Sequence, residues 1–181
     1  MNSNVSPFAM AHRAPINLTS YSNCWPSEFE SEKMVLASSL KDENVWIEHI
    51  GSTAVPGLSA KPIIDVMLGA SSLERIESWV PILEGLGYEY MPIHEETMPD
   101  RRFFAKPRMR PRHIHLHGVL IGGKFWAEHI AFRDALRSSP LLATRYAELK
   151  FELSERFGDD RESYTRAKGP FISAVLKNVL G

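Results

Sequence analysis

A single cysteine, Cys24, stands in 181 residues, which excludes an internal disulfide framework and any cluster of cysteine metal ligands. An excess of one charge is also missing. With 21 Lys and Arg against 22 Asp and Glu, the net charge of −1 gives no global field toward nucleic acid or membrane. No apolar run approaches the roughly 20 residues that span a bilayer. Met1 to Ser20 lacks the charged start and apolar stretch of a secretory signal, so the expected location is cytoplasmic. There is no internal repeat and no low-complexity tract. The rest is ordinary for one globular domain, 44% apolar and 24% charged. A chain of this length buries roughly 70% of its unfolded surface, enough for a core without staples.

The first 20 residues are polar and aperiodic and are expected to form a loose extension, with one domain over 21–181. Pro26 opens a helical pattern whose candidate apolar contacts are Phe29, Met34, Leu36 and Leu40. Val45 to Ile50 reads as a strand stopped by Gly51, and Pro62 to Leu68 as a buried strand interrupted only by Asp65. Leu73 to Leu86 recurs at helical spacing, with Pro81 predicting a kink or break. Tyr88 to Ile93, Arg102 to Lys106 and Arg112 to Val119 read as three strands. The remainder is helical: a stripe of Phe125, His129, Phe132 and Leu136, then Leu142, Tyr146, Leu149, Leu153 and Phe157 ended by Gly158. Asp159 with Glu162 resembles a capping box for the last helix, and Gly169-Pro170 predicts a kink in it. The order predicts an α+β fold, a mixed β-sheet with packed helices and a helical C-terminal part.

The segment from His49 to Val66 carries the most chemistry. A strand ends in Gly51-Ser52, and the next strand holds a carboxylate, Asp65, amid Pro62, Ile63, Ile64 and Val66. Gly51 lets a phosphate approach the backbone, Ser52 and Thr53 offer hydroxyls, and free N–H groups at a turn bind anions. A carboxylate such as Asp65 can hold Mg²⁺, and Lys61 can neutralise a further phosphate charge. The plain alternative is a strand-ending turn. Against it, an unpaired buried carboxylate is costly, so Asp65 needs a metal or a cationic partner.

These residues resemble the GrpB family. The stretch His49-Ile-Gly-Ser-Thr-Ala-Val-Pro-Gly-Leu-Ser-Ala-Lys-Pro-Ile-Ile-Asp65 looks like its signature. Gly87-Tyr88, His113-Ile-His115-Leu-His117, Phe132-Arg133-Asp134-Ala-Leu136, Tyr146 with Leu149-Lys150, and Tyr164 with Lys168 extend the likeness over Tyr21 to Leu180. The resemblance implies a nucleotidyltransferase-like fold, and places the chain near a domain fused to dephospho-coenzyme A kinases in some bacteria. In that superfamily a Gly-Ser turn precedes an Asp-x-Asp pair, with a third carboxylate from a later strand. Gly51-Ser52 and Asp65 match, but the second acidic position is Met67, which does not suit Mg²⁺. That departure weakens two-metal nucleotidyl transfer.

Residues two apart on a strand face the same way, so His113, His115 and His117 are expected on one face. Three in a row do not converge readily on one small ion, because same-face neighbours sit about 6.5–7 Å apart. A two-histidine metal site completed by Asp65 or Glu48 is one option; a row binding phosphate or bonded into the sheet is another. His49 is a fourth candidate site histidine. Upstream, Arg101, Arg102, Lys106, Arg108, Arg110 and Arg112 follow the acids Glu89, Glu95, Glu96 and Asp100. The run reads either as a solvated hairpin or as a phosphate-facing strand and loop, since arginine forks suit phosphate oxygens. Arg112 is the candidate there. Arg133, Lys150 and Lys168 neighbour apolar stripes, either as stems covering the core or as ligand contacts. The Tyr146–Lys150 and Tyr164–Lys168 pairs, both four residues apart, suggest a shared basic pocket.

The first functional expectation is thus a nucleotide- or phosphate-ligand-binding protein. If active, it is a Mg²⁺-dependent nucleotidyltransferase with Asp65 as catalytic residue and metal ligand. The alternatives are a non-catalytic nucleotide-binding or regulatory module, favoured by Met67, and a metal-dependent hydrolase using His113, His115 and His117. RNA binding is disfavoured by near-zero net charge and the lack of an aromatic platform beside the arginines. Nothing in the sequence assigns an acceptor, a nucleotide preference or an oligomeric state.

Overall fold

The computed structural model describes residues 15–109 and 111–181. Its centre is a five-stranded mixed sheet built from β1 (Trp46–Ile50), β2 (Ile64–Ala70), β3 (Glu89–Tyr90), β4 (Arg101–Lys106) and β5 (Ile114–Leu120), in the order β1-β2-β5-β4-β3. β2 and β5 run parallel, and every other neighbouring pair is antiparallel. The helices are α1 (Cys24–Leu40), α2 (Leu73–Ser78), α3 (Val80–Gly85), α4 (Lys124–Ser138), α5 (Pro140–Phe157), α6 (Arg161–Ala167) and α7 (Gly169–Leu180). Among the described residues, no helix is long and apolar enough to cross a membrane.

The two faces of the sheet have different covers. Val66, Leu68 and Ala70 of β2, with Leu116 of β5 and Phe104 of β4, share the main core with Trp25, Phe29, Leu36 and Leu40 of α1. Ile50, Met67 and Val119 point the other way, against Phe125, Trp126 and Ile130 of α4. Burial of alternate residues from both sides explains why β2 reads as a continuous apolar run.

Pro81 lies in the first turn of α3, just after the break from α2, with Trp79 buried at the junction. Gly158 ends α5 with φ +57°. The last helical segment is two helices, α6 and α7, divided before Pro170.

Four local expectations are corrected. Met34 is exposed, because the buried stripe of α1 runs through Trp25, Phe29, Glu32, Leu36 and Leu40 and leaves position 34 on the outer side. β3 has only two residues, since Pro92 has no N–H for a ladder and opens a 3₁₀ turn over Pro92–Glu95. The cap of α6 is Asp160, whose side chain accepts from the Ser163 N–H, rather than Asp159 with Glu162. Residues 15–20, assigned to the loose extension, are tied to the domain. Ile16 is buried with Leu153 and Tyr164, and Thr19 bridges Ala60. Residues 1–14 of that extension lie outside the described residues.

Candidate functional site

β1 ends at Ile50, and the chain turns at Gly51 with φ +72° and ψ −172°. That backbone region is essentially open to glycine alone. The neighbour explains the requirement. A Cβ at Gly51 would lie 3.1 Å from both Cβ and Cγ of Asp65, and closer still to its Oδ2. The missing side chain leaves room for the carboxylate of the next strand, so the turn and the acid pack against each other.

Asp65 shares its face of β2 with Met67 and Gly69. Met67 is fully buried beneath α4, and a Cβ on Gly69 would lie 2.5 Å from the Trp126 ring. Helix α4 therefore seals this row beyond Asp65, and Asp65 alone of the three borders a cavity of about 1170 Å³.

The parallel register sets His115 beside Asp65 and His117 beside Met67. Oδ1 of Asp65 lies 3.4 Å from Nδ1 of His115 and 3.5 Å from Nε2 of His117. Nη1 of Arg101, on β4, lies 3.3 Å from Nδ1 of His117. A guanidinium only donates, so Nδ1 is the acceptor and the single proton of a neutral His117 sits on Nε2, facing Asp65. Burial pulls the His117 pKa down to about 4 against the attraction of Asp65, and Arg101 pulls the same way as burial. Burial opposes ionisation of Asp65, but hydrogen bonding to His115 and His117 prevails and holds its carboxyl well below the usual range.

The far wall is basic. Lys150 Nζ, on α5, is 3.2 Å from Ser52 Oγ and also donates to the Ser59 carbonyl. Its ammonium lies 5.0 Å from the Tyr146 ring centroid, and those of Lys61 and Lys168 lie 4.6 and 4.7 Å from that of Tyr164. Among the described residues, none of these lysines forms a salt bridge. Burial, with Lys168 close by, brings Lys150 down to about 7. Burial and the positive charges of Lys168 and Arg161 bring Lys61 down to about 8. Burial also lowers Lys168 and raises Tyr164 to about 12.

The structure thus brings Gly51, Ser52, Lys61, Asp65, His115, His117, Lys150 and Lys168 to one cavity. Other expected site residues are engaged elsewhere. His49 is buried, stacked on Phe29, with Nε2 3.1 Å from Thr53 Oγ1; Thr53 in turn donates to the Ile63 carbonyl. Both side chains latch the loop; Thr53 also borders the cavity, with its hydroxyl already engaged by these contacts, whereas His49 does not. His113 precedes β5 and borders a hollow against Ser27, Glu28 and Ser31 of α1, so it does not share the face of His115 and His117. Arg112 pairs with Glu89 away from the cavity. Arg133 reaches the cavity wall, but its guanidinium binds Glu48, Asp134 and the His49 carbonyl, clamping α4 onto β1.

Most of the basic run is likewise paired. Arg102 meets Glu77 and Glu95, Lys106 meets Glu32, and Arg108 donates to the Tyr88 and Glu84 carbonyls. Arg110 lies outside the described residues. Arg101 is the member that borders the cavity, and the candidate set missed it. Its signal was strand alternation: Arg101, Phe103 and Ala105 share the histidine face, while Phe104 enters the main core. Phe125 and His129, both on the helical stripe of α4, also line the cavity.

The donor set does not fit a pair of Mg²⁺ ions. Of the four carboxylates that line the cavity, Asp65, Glu74, Asp100 and Glu128, only Asp65 stands on the strand that follows the Gly51–Ser52 turn, and the position two residues on is a sealed methionine. Among the described residues, no group of three or more His, Cys, Asp or Glu side chains is arranged to hold a metal ion.

The buried neutral histidines predict acid sensitivity. His49 is held at about 4, chiefly by burial, as is His117. An unfolded histidine titrates near 6.5, so the unfolded chain binds more protons between about pH 6.5 and 4, and stability falls as pH drops through that window. The expected loss is on the order of 3 kcal/mol per histidine by pH 4. Urea denaturation across the window checks it, and His49→Gln should make the decline shallower.

A mixed sheet with helices on both faces, and a cavity with an acid–histidine row opposite a lysine wall, defines an α+β domain of mixed-sheet type. Comparison with known proteins is consistent with this architecture. The profile described as GrpB protein matches residues 15–178, and the chain belongs to the GrpB family. It is 33% identical over 173 residues to the glutamate-rich protein GrpB of Alkalihalophilus pseudofirmus, covering 93% of this chain and 98% of that one. It is 37% identical over 161 residues to a UPF0157 protein of Pseudomonas aeruginosa, covering 86% of this chain but 64% of the relative. The crystal structure of conserved protein GrpB from Enterococcus faecalis superposes with a TM-score of 0.80 at 36% identity, over 91% of this chain and 97% of that one. A more distant match, 24% identical, is a dephospho-CoA kinase of Mycolicibacterium paratuberculosis, of which the chain spans 49%.

Proposed function

We propose that the cavity binds a phosphorylated small molecule of nucleotide type, with its phosphate on Lys61, Lys150, Lys168 and the Gly51–Ser52 turn. The observation that carries this reading is the lysine wall. Three cationic side chains from separate parts of the chain converge there without a salt-bridge partner among the described residues. Holding like charges together in a half-buried cavity is costly in the free protein, and an arriving anion relieves that cost. The distant likeness to a dephospho-CoA kinase, confined to about half of that protein, supports a nucleotide-type ligand over a simple inorganic anion.

Binding needs neither a second carboxylate nor a metal, which fits Met67. The reading is therefore a ligand-binding domain rather than a nucleotidyltransferase.

Thermal shift and calorimetry with AMP, ADP, ATP and inorganic phosphate test it, each with and without Mg²⁺. Nucleotides should stabilise the protein in both conditions. Lys150→Met should cost roughly 10- to 100-fold in affinity, the usual worth of a charge-assisted contact. Affinity should fall as pH rises through about 7 and then 8, where Lys150 and Lys61 lose their protons in the free protein. No stabilisation by any of the four compounds would reject the reading. Mg²⁺-dependent pyrophosphate release from ATP, lost in Asp65→Ala, would replace it with nucleotidyl transfer.

A further inference from the structure

Across the cavity from the lysines stands a second cation. Arg101 lies with its guanidinium carbon 4.8 Å from the Phe103 ring centroid and 5.9 Å from that of Phe125. Among the described residues, it makes one hydrogen bond, from Nη1 to His117, and its buried Nε has no partner. Among the described residues, it forms no salt bridge, unlike Arg102 next to it. A buried guanidinium donor without an acceptor calls for an explanation, since native proteins satisfy nearly all such groups. Packing supplies none here. The aromatic faces hold the plane of the group but accept little from its edge.

The sheet order sets the spacing. Ser52 follows β1, Asp65 is on β2, His115 and His117 are on β5, and Arg101 is on β4. Neighbouring strands lie about 4.8 Å apart, so the strand of Arg101 runs roughly 10 Å from that of Asp65, on the side away from the Gly51–Ser52 turn. Glu74, Asp100, Lys124 and Glu128 also line the cavity, Lys124 paired with Glu128, and among the described residues none of these acids forms a salt bridge with Arg101. Arg101 and the lysine wall are thus separate cationic groups with the acid–histidine row between them. Asp65, held ionised, repels an anion in the middle and accepts from a hydroxyl there.

We propose that Arg101 is a second anion-binding position, and that the ligand is a polyol or nucleoside carrying two separate anionic groups, one on Arg101 and one on the lysine wall. This inference rests on the reading that the lysine wall takes a phosphate, and it names the class of ligand for that site.

Two probe pairs test it on the full chain by calorimetry: adenosine 5′-monophosphate against adenosine 3′,5′-bisphosphate, and fructose 6-phosphate against fructose 1,6-bisphosphate. In at least one pair the bisphosphate should bind roughly 10- to 100-fold tighter than its monophosphate. Arg101→Gln should bring that ratio close to one, and Arg101→Lys should leave an intermediate value. The ratio in the unsubstituted protein needs no variant, so misfolding of Arg101→Gln does not remove the test. If monophosphates bind but the bisphosphates bind no tighter, Arg101 is not an anion position and the lysine site stands alone. A ratio unchanged in Arg101→Gln would overturn the assignment of Arg101 in the same way. If neither member of either pair binds, this inference fails; if ADP, ATP and inorganic phosphate also fail to bind, the lysine-wall reading fails with it.

Discussion

Gly51→Ala is expected to lower stability by about 3 kcal/mol or more and to abolish binding of phosphorylated ligands. Two costs coincide at that position. The backbone holds φ +72° and ψ −172°, where a side chain is strained by roughly 1–3 kcal/mol. The added methyl would also press on Asp65 at Cβ, Cγ and Oδ2. Asp65 has no easy retreat, because Oδ1 is held between His115 and His117. For a chain of this size, the melting temperature should fall by roughly 6–12 °C. Gly57 is the control. It also has positive φ, +78°, but a Cβ there meets nothing within 4 Å, so Gly57→Ala should cost only about 1 kcal/mol. Both variants carry a positive-φ cost, and only Gly51→Ala adds the collision with Asp65, so thermal melts should show the larger loss there. Equal losses would refute the role assigned to the close approach.

Met67→Asp, which supplies the absent second acid, is expected to destabilise the fold by roughly 3–5 kcal/mol at pH 7 without creating transferase activity. Met67 is fully buried, packed with Ile50 and Val119 under Phe125 and Trp126. A carboxylate there has neither water nor a cation to meet. Its pKa would rise above the ordinary value of about 3.9, so the penalty is present at neutral pH and shrinks as pH falls toward 4. Urea denaturation of variant and parent at pH 7 and pH 4.5 should show the deficit narrowing. Met67→Leu should cost under about 1.5 kcal/mol. A stable Met67→Asp protein that releases pyrophosphate from ATP with Mg²⁺ would overturn the view that α4 has closed this position to metal chemistry.

Much of the fold was legible in the residues. Pro81 and Gly158 marked breaks because proline lacks a donor and glycine tolerates positive φ, both properties of the residue alone. The apolar run of β2 signalled a strand covered on both faces. The capping expectation at Asp159 failed by one position: Glu162 lies three residues after Asp159, as a capping box requires, yet the chain path makes Asp160 the cap, bonded to the Ser163 N–H. Met34 failed because one apolar residue on a helix does not report which side the sheet occupies.

Within the site, the Tyr–Lys spacing of four pointed to a common wall, and the lysines do line one cavity with Ser52. His113 was misplaced because alternation holds only inside a strand, and β5 begins one residue later. Arg112 and Arg133 look like Arg101 in sequence. Their different fates depend on Glu89, Glu48 and Asp134 lying within reach, which is a matter of tertiary neighbours.

The amino-acid order by itself determined most of the elements, the need of Asp65 for partners, and the absence of a second acid, because these follow from local backbone preference and from the identity of single side chains. Tertiary structure decided which charges remain unpaired. Pairing requires contact within a few ångströms, and residues 85 or 98 positions apart, such as Glu48 with Arg133 and Ser52 with Lys150, meet only when the helices close over the sheet.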